Sequence, residues 1–339
     1  MTYSFRDDYS EGCHPEILAA LSDANLVQQD PYGDDEFSAA ARELICARLG
    51  QTSAVHFVAS GTMANLLIIS SVLKPFEAVI SVQGGHIAEH EAGAIERAGH
   101  KVIIAPGEHG KLRPEDIRNA VAENTMPPHM ARPKLVYISN ATETGLAYRK
   151  SELKALRVAC DTLGLWLMMD GARLGAAMVS KASDLTWPDL AKLTDIFWIG
   201  GTKAGALLGE AIVFNKGELA EDFAFHIKQR GAMISKGRVL GLQFKTLFEK
   251  DLFDSGALHA HAQAKILSDA MIAAGYKLSC PTETNQLFPI LPLALVEKLE
   301  RDFAFHRWGA VGTDHMEIRL VTSWATDPDQ VARFVSALG

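Results

Sequence analysis

One lysine, Lys203, lies in a glycine-rich segment between two apolar stretches. The apolar run 196–199 predicts a short buried strand that leads into it, and glycines at positions 200, 201 and 205 flank it. Lysine is rarely buried without a partner, so the segment is either an exposed turn or a dry site. In a dry site the pKa of the lysine falls, and the free amine can form a Schiff base with a carbonyl compound.

A second candidate site begins at Ser60, Gly61 and Thr62. These residues connect a predicted strand, 54–59, to an apolar helix that continues past residue 66. The free N–H groups and the dipole of a helix N-terminus favour a phosphate there. The segment lacks both GxGxxG and a GK[ST] ending, so it is neither a dinucleotide fingerprint nor a P-loop. An ordinary capped helix is the alternative.

Three further polar residues lie at or inside predicted strands. His86 follows the strand 77–82 and a Gly-Gly turn, and Asp170 ends the apolar strand 165–169. Sites gather at such strand ends in open α/β sheets. A buried aspartate there needs a partner, although Asp170 could instead cap the next turn. Arg319 interrupts an apolar strand and is either a sheet-edge residue or a fixed fork for a carboxylate.

The scaffold that positions these residues is predicted to be α/β. Strands alternate with helical segments from residue 54 to 214, which indicates βαβ units and a mostly parallel sheet with helices on both faces. We predict an N-terminal arm over 1–36, a large α/β domain over 37–240 and a smaller C-terminal α+β domain over 241–339.

Composition excludes several classes of protein. The net charge of −8 without a basic run argues against nucleic-acid or anionic-membrane partners. The polar N-terminus does not suggest a signal peptide, and the apolar run 66–73 is too short to span a bilayer. The four cysteines have no CxxC or zinc spacing, which predicts reduced thiols, a cytoplasmic protein and no metal site.

Together these residues match what pyridoxal 5'-phosphate requires. The cofactor needs a phosphate cup, a ring that covers its pyridine face, a carboxylate that keeps its ring nitrogen protonated and a lysine that binds its aldehyde. An arginine would then hold the carboxylate of an amino acid. A nicotinamide oxidoreductase would share the architecture but lacks its fingerprint here, and a non-catalytic cofactor-binding or interaction protein is the remaining alternative.

The sequence also resembles the low-specificity L-threonine aldolases, phenylserine aldolases included. The segments that carry the resemblance are Gly12-x-His14-Pro15, Tyr32-Gly-Asp-Asp35, Ser60-Gly-Thr-x-Ala-Asn65, His86-x4-Glu91-x-Gly93, Ala141-Thr-Glu-x-Gly145, Asp170-Gly-Ala-Arg173, Gly200-Gly-Thr-Lys203, Lys228-Gln-x-Gly231 and Arg319-x3-Ser323-Trp324. This resemblance implies the aspartate aminotransferase fold, fold type I of pyridoxal-phosphate enzymes.

The resemblance also implies roles for individual residues. Lys203 would carry the Schiff base, Asp170 would pair with the pyridinium nitrogen and His86 would stack on the ring. The other residues assigned to the cofactor are Ser60, Gly61, Thr62, Asn140, Arg173, Thr202 and, from a neighbouring subunit, Lys228. Those assigned to the substrate are Arg173 and Arg319 for its carboxylate, His129 near its hydroxyl and Tyr32 from a loop near the dimer interface. From local sequence alone, His129 reads as a polar surface residue.

One departure from the family concerns the substrate. Asp7 stands where the family usually has serine, and its ionised carboxylate would repel the substrate carboxylate. Either Arg6 or Ser10 compensates, or the pocket prefers another substrate. Ala204, after the lysine, is also smaller than the polar residue that close relatives would have.

The predicted function is therefore aldol cleavage with pyridoxal phosphate. L-Threonine, L-allo-threonine or phenylserine would give glycine and an aldehyde, with His86, His129 or a water they position as the base. The alternative is a β-eliminating lyase or another amino-acid transformation on the same fold. A site completed by a neighbouring chain implies a homodimer or homotetramer with its active sites at the subunit interface.

Overall fold

The computed structural model describes residues 2–338. The strands in this part of the chain are β1 Tyr3–Ser4, β2 Ala54–Val58, β3 Glu77–Val82, β4 Lys101–Ala105, β5 Arg132–Ser139, β6 Trp166–Asp170, β7 Ile196–Gly200, β8 Glu210–Phe214, β9 Lys277–Leu278, β10 Gln286–Leu287, β11 Pro289–Pro292, β12 Phe303–Ala304, β13 His306–Val311 and β14 His315–Val321.

The helices connect these strands and flank them. They are α1 Pro15–Asp23, α2 Glu36–Leu49, α3 Gly61–Val72, α4 His86–Glu89, α5 Ala94–Arg97, α6 Pro114–Ala122, α7 Lys150–Leu163, α8 Leu174–Met178, α9 Trp187–Leu193, α10 Phe223–Gln229, α11 Arg238–Glu249, α12 Leu252–Ala273, α13 Leu293–Leu299 and α14 Pro328–Ala337. None of them is both long enough and apolar enough to cross a membrane, within the residues described.

A seven-stranded sheet forms the centre of the molecule, in the order β2-β8-β7-β6-β5-β3-β4. The five strands from β7 to β4 in this order are parallel, and β8 is antiparallel to both of its neighbours. This arrangement confirms the predicted mostly parallel α/β sheet. The carboxyl ends of β5, β6 and β7 consequently meet at one edge, where Lys203 and Asp170 lie.

Two apolar cores cover the two faces of this sheet. Strands such as β7 and β8 are buried along their whole length, as the continuous apolar runs of a doubly covered sheet require. Alternate residues point to opposite cores: Val79 packs with α3 on one face, whereas Ile80 packs with α2 and α7 on the other. The helices therefore hold the strand ends rigidly from both sides.

The C-terminal part contains a smaller sheet, β10-β14-β11-β9 with β13 beside β14, and a third core. Its longest helix, α12, begins at Leu252, six residues before the apolar periodicity that predicts a helix at 258–274. The sequence pattern does not predict this first turn, because it contains Asp254, Ser255 and Gly256, and such residues usually occur at helix ends. The N-terminal arm packs here as well, since β1 pairs with β12 and Phe5 joins the third core. The domain boundaries stay a prediction.

Candidate active site

Lys203 lies in a single 3-10 turn, Thr202–Ala204, directly after β7. Glu210 fixes this turn from the neighbouring strand: its carboxylate accepts hydrogen bonds from Gly201 N at 2.9 Å and from the Thr202 hydroxyl at 3.0 Å. Gly201 approaches the chain so closely that a Cβ would lie 2.5 Å from the carbonyl oxygen of Gly209. The turn therefore presents the lysine in one defined position.

The electrostatic surroundings of Lys203 favour its neutral amine. Burial and the nearby Arg173 lower the pKa of Lys203, whereas Asp8, Glu143 and Asp170 oppose the change without cancelling it. A lowered pKa makes the free amine available for reaction with a carbonyl group. Burial also raises the pKa of Glu210 to about 7.

The lysine lines a cavity of about 280 Å³ at the carboxyl edge of the sheet. The cavity brings together eight of the residues that sequence reasoning assigned to the site, namely Ser60, Gly61, Thr62, His86, Asp170, Arg173, Thr202 and Lys203. The residues that complete its wall are Tyr9, Ala59, Asn65, Ala141, Glu143, Ala172, Trp198, Leu208 and Glu210.

The predicted phosphate cup coincides with the N-terminal turn of α3. Ser60 is its N-cap and accepts a hydrogen bond from Met63 N at 3.4 Å. Gly61 lies directly against Trp198. A Cβ at this position would be only 2.8 Å from Trp198 Cη2. Only a glycine therefore fits between the helix and the indole. Thr202, which is also assigned to the cofactor, already donates its hydroxyl hydrogen to Glu210.

Asp170 is held at the tip of β6 by three donors. Its Oδ2 accepts from the Tyr137 hydroxyl at 2.6 Å and from Asn65 Nδ2 at 3.0 Å, and its Oδ1 accepts from Ala172 N at 2.9 Å. Burial, together with the charge of Asp170, raises the pKa of Tyr137 well above its usual value, so the phenol stays a donor. These three donors fix the position of the buried carboxylate.

His86 begins α4 and is joined to Glu91. Its Nδ1 lies 2.9 Å from Glu91 Oε1, and this hydrogen bond is the main cause that raises the pKa of His86. An ionised carboxylate can only accept, so Nδ1 carries the proton. In the neutral ring Nε2 is then the basic nitrogen.

The two arginines assigned to the substrate have different surroundings. Arg173 is buried and makes a fork with Asp8, through Nε to Oδ2 at 2.7 Å and Nη2 to Oδ1 at 3.0 Å. Asn285 donates to the same carboxylate at 2.9 Å. Asp8 therefore takes two of the N–H donors of Arg173, and a role of Arg173 at the substrate carboxylate stays a prediction.

Arg319 is the less committed of the two arginines. Its Nε and Nη2 both donate to the single oxygen Gln286 Oε1, at 3.1 and 2.7 Å, and its guanidinium lies 5.4 Å from the Trp308 ring centroid. Burial and the neighbouring Arg173 lower the pKa of Arg319 to about 10. A negative charge placed between these two cations would be stabilised by both.

Several assigned residues lie outside this cavity. His129 is exposed in the loop before β5, at the edge of the sheet opposite Lys203. Lys228 lies over Tyr32, with Nζ 4.6 Å from the ring centroid, and the pair faces another part of the surface. Roles for these three residues at a site would require a second subunit, as the resemblance implies for Lys228.

The remaining assigned residues lie beside the site or on its outer arm. Asn140 is buried, and its Oδ1 accepts from Tyr148 N at 3.0 Å. Asp7 accepts from the Ser10 hydroxyl at 2.8 Å and from Tyr9 N at 3.3 Å, so it caps a turn of the arm. Arg6 is exposed.

Sequence reasoning missed Asp8, Asn65, Glu91, Glu143 and Glu210 as functional residues. Asn65, Glu91 and Glu143 lie inside motifs that carry the family resemblance, and Glu210 is a charged residue at the start of an apolar strand. Burying such a residue without partners costs free energy, so a charged residue in an apolar strand indicates a specific partner or a functional role. For Asp8 the usable signal is the resemblance, which places its neighbour Asp7, and not Asp8, at the position where the family usually has serine.

Comparisons with known proteins identify the family. The family model for beta-eliminating lyases matches residues 5–293. The chain belongs to the beta-eliminating lyase family. A low-specificity L-threonine aldolase from Pseudomonas aeruginosa is 34% identical to this family member, over 97% of this chain and 95% of its own length.

Solved structures agree with this assignment. A threonine aldolase from Leishmania major superposes with a TM-score of 0.97 at 45% identity, covering 99% of this chain and 98% of its own. An aspartate aminotransferase from Thermus thermophilus superposes with a TM-score of 0.73 at 18% identity, covering 99% and 90% of the two chains. The latter likeness concerns the fold alone and confirms fold type I. This family member is a pyridoxal-phosphate-dependent lyase.

The residues of the cavity fit this cofactor. The N-terminal turn of α3 offers free N–H groups to a phosphate, and the Gly61–Trp198 contact leaves no side chain in the way. Lys203 supplies an amine with a lowered pKa, and Asp170 supplies a buried carboxylate for a protonated ring nitrogen. These groups share one cavity.

Proposed function

We propose that this protein cleaves the Cα–Cβ bond of L-β-hydroxy-α-amino acids such as L-threonine, L-allo-threonine and phenylserine, which gives glycine and an aldehyde. The observation that carries the proposal is the convergence of Lys203, Asp170 and His86 on one cavity, with Arg173 in its wall. The near full-length similarity to proteins named threonine aldolases supports the same reaction here.

The chain's own residues divide the work of this reaction. Pyridoxal phosphate, when bound, supplies an electron sink for the bond broken at Cα. Lys203 would hold the cofactor through its amine, Asp170 would face the ring nitrogen, and Ser60, Gly61 and Thr62 would hold the phosphate. Arg319, with the remaining N–H donors of Arg173, would fix the substrate carboxylate, and this orientation determines which bond at Cα is aligned for cleavage.

His86 is the base that we propose for the substrate hydroxyl. Glu91 holds the proton of the neutral ring on Nδ1, so Nε2 is the nitrogen that accepts the hydroxyl proton, directly or through a water. His129 stays a candidate for the same step only if a second subunit brings it to the cavity, because within one chain it lies at the opposite edge of the sheet.

The pH dependence of kcat/KM tests His86. The base must be neutral, and Glu91 raises the pKa of His86. The value of kcat/KM should therefore decrease at low pH, and the midpoint of this acid limb should lie above the ordinary histidine pKa of about 6.5. His86→Phe should lower kcat/KM by about 100- to 10,000-fold and abolish this limb. The control is His90→Phe, an exposed ring 5.7 Å from His86. An unchanged limb in His86→Phe would assign the base elsewhere.

Arg319 is expected to determine the KM for the substrate. Arg319→Leu removes a charge-assisted contact worth about 1.5–3 kcal/mol, so the KM for phenylserine should rise by about 10- to 100-fold. Arg307→Leu on the adjacent strand is the matched control. Arg307 forms an ion pair with Glu300, at an N–O distance of 2.6 Å, and this pair lies away from the cavity. Equal KM values for the two variants would remove Arg319 from the substrate site.

The decisive experiment follows absorption between roughly 300 and 500 nm, where the bound cofactor absorbs, while the products are assayed. L-Threonine, L-allo-threonine and phenylserine should each shift the band and release aldehyde and glycine in equal amounts. β-Elimination would instead release ammonia with 2-oxobutanoate from the two threonines or with phenylpyruvate from phenylserine, and these products without aldehyde would refute the proposal. The absence of any band after addition of pyridoxal phosphate would refute the assignment of Lys203 as well.

We further propose a cytoplasmic homodimer or homotetramer with its sites at the subunit interface. In support, apolar side chains are exposed on the N-terminal arm and on α10, for example Leu26 at 91% and Phe225 at 75%. The four cysteines are free thiols, which suits a reducing compartment. Sedimentation of the holoenzyme tests the oligomer, and a monomer with full activity would contradict interface sites.

A further inference from the structure

Asn65 uses every hydrogen-bonding atom of its side chain within the site, although no role follows for it from the reaction. It lies in the first turns of α3 and is completely buried. Its Nδ2 donates to Glu91 Oε1 at 2.8 Å and to Asp170 Oδ2 at 3.0 Å, and its Oδ1 accepts from Trp198 Nε1 at 2.9 Å. Ionised carboxylates can only accept and an indole N–H can only donate, so the orientation of the amide is fixed.

The two carboxylates that share Asn65 serve different parts of the proposed site. Asp170 would face the cofactor ring nitrogen, whereas Glu91 holds His86. Since both oxygens contact the same nitrogen, at 2.8 and 3.0 Å, the two carboxylates lie close together. The amide hydrogens of Asn65 lie between them and join them in one hydrogen-bonded cluster.

Asn65 and His86 also share one acceptor. Glu91 Oε1 receives hydrogen bonds from both side chains, at 2.8 and 2.9 Å. The donor from Asn65 withdraws negative charge from this oxygen and so weakens its hold on the imidazole proton. The Asn65 amide therefore counteracts the tendency of Glu91 to keep His86 protonated.

We propose that Asn65 is a positioning residue that bridges Glu91 and Asp170 and, through the Glu91 oxygen that it shares with His86, sets the proton affinity of His86. This inference rests on the proposed function for the roles of His86 and Asp170. The other titratable groups that face the cluster are His90, Tyr137, Glu143, Lys203 and Glu210. None of these donates a hydrogen bond to Glu91, within residues 2–338, so the bridge between the carboxylates depends on Asn65 alone.

The test is an NMR titration of the His86 ring in the cofactor-free protein, with its signal assigned by loss in His86→Asn. Asn65→Asp keeps the size of the side chain and an acceptor for Trp198 Nε1 but replaces both donors with a negative charge. It should raise the proton affinity of His86 at least tenfold, which is one pH unit. Asn65→Leu removes the donors without adding charge and should move the titration in the same direction by less.

Trp198→Phe is the matched control. It removes the third hydrogen bond of the same amide and a similar amount of buried packing, while the bonds to both carboxylates remain. A purely structural Asn65 would lower the melting temperature in all three variants and leave the His86 titration unmoved; that result would overturn the inference. If Asn65→Asp does not fold, Asn65→Ser, which retains one donor, should give an intermediate shift, and an unshifted titration there would overturn it equally.

The holoenzyme gives a second readout. In Asn65→Asp the acid limb of kcat/KM for phenylserine should move to higher pH together with the NMR titration, whereas in Trp198→Phe it should not move. A wild-type protein that releases no aldehyde would refute the proposed function but would leave the titration of the cofactor-free protein interpretable. An NMR shift without a shift of the limb would show that His86 is tuned by Asn65 but is not the base.

Discussion

Lys203→Ala is expected to give a folded protein that releases no measurable aldehyde from phenylserine. The amine is the only part of the turn that can bond covalently to the cofactor aldehyde, and its lowered pKa prepares it for that reaction. The turn itself should persist, because Glu210 holds Gly201 and Thr202 through atoms that the substitution leaves in place. Added pyridoxal phosphate should therefore bind without producing the band of a lysine adduct.

Reduction with borohydride identifies the lysine to which the cofactor is attached. In the wild type the reduced cofactor should stay attached to the peptide that contains Lys203, and in Lys203→Ala this labelling should disappear. Lys216→Ala is the control, since Lys216 pairs with Asp195 at 2.8 Å, far from the carboxyl edge of the sheet. Labelling of another lysine in wild-type protein, for example Lys228, would contradict the assignment of the cofactor-binding residue.

Asp8→Ala is expected to lower the free energy of unfolding by about 3–5 kcal/mol, the range for removing one partner of a buried ion pair. The reason is that Arg173 would keep its charge in a buried position without its two hydrogen bonds to Asp8. Denaturant unfolding at neutral pH measures the difference. Asp7→Ala is the adjacent control and should change stability by no more than about 0.5 kcal/mol, since Asp7 only caps a partly exposed turn.

The contribution of Asp8 should also depend on pH. Burial alone would raise the pKa of Asp8, but Arg173, Lys203 and the hydrogen bonds from Arg173 and Asn285 lower it overall. A group whose pKa is lower in the folded state stabilises the protein above its unfolded pKa, about 3.9 for aspartate. The difference between wild type and Asp8→Ala should thus be constant near neutral pH and shrink below about pH 4. A difference that grows in acid would contradict the ion pair.

Much of the site could be predicted because parallel strands gather their carboxyl ends at one edge. Lys203, Asp170 and the cup at Ser60 each follow an apolar strand, and one topological rule places them together. The order of the strands in the sheet and the antiparallel β8 depend on long-range pairing, which local periodicity does not encode. The same holds for Glu210, which reaches the lysine turn only because β8 lies beside β7.

Local periodicity does not distinguish the two neighbouring aspartates on the arm, although the family resemblance does, because Asp7 stands at the serine position. In the structure the packing of the arm against the C-terminal core directs Asp8 inward to Arg173. His129, Tyr32 and Lys228 present a different limit. They lie away from the cavity of their own chain, so their assigned roles depend on contacts with a neighbouring subunit.

The contacts of Asp8 affect the order in which parts of the protein fold during synthesis. Domains generally form as units during synthesis, N-terminal segments first, yet the carboxylate of Asp8 finds its partners only in Arg173 and Asn285. Arg319 lies in β14 of the smaller C-terminal sheet, which is translated last, and it is a further residue of the same region. A ribosome-bound chain that has built the seven-stranded sheet already contains Arg173, but it lacks Asn285, the strand β12 that pairs with β1 and the core that receives Phe5, so its arm is only partly anchored. Catalytic competence should appear late, as one of the final events after the C-terminal strands leave the exit tunnel.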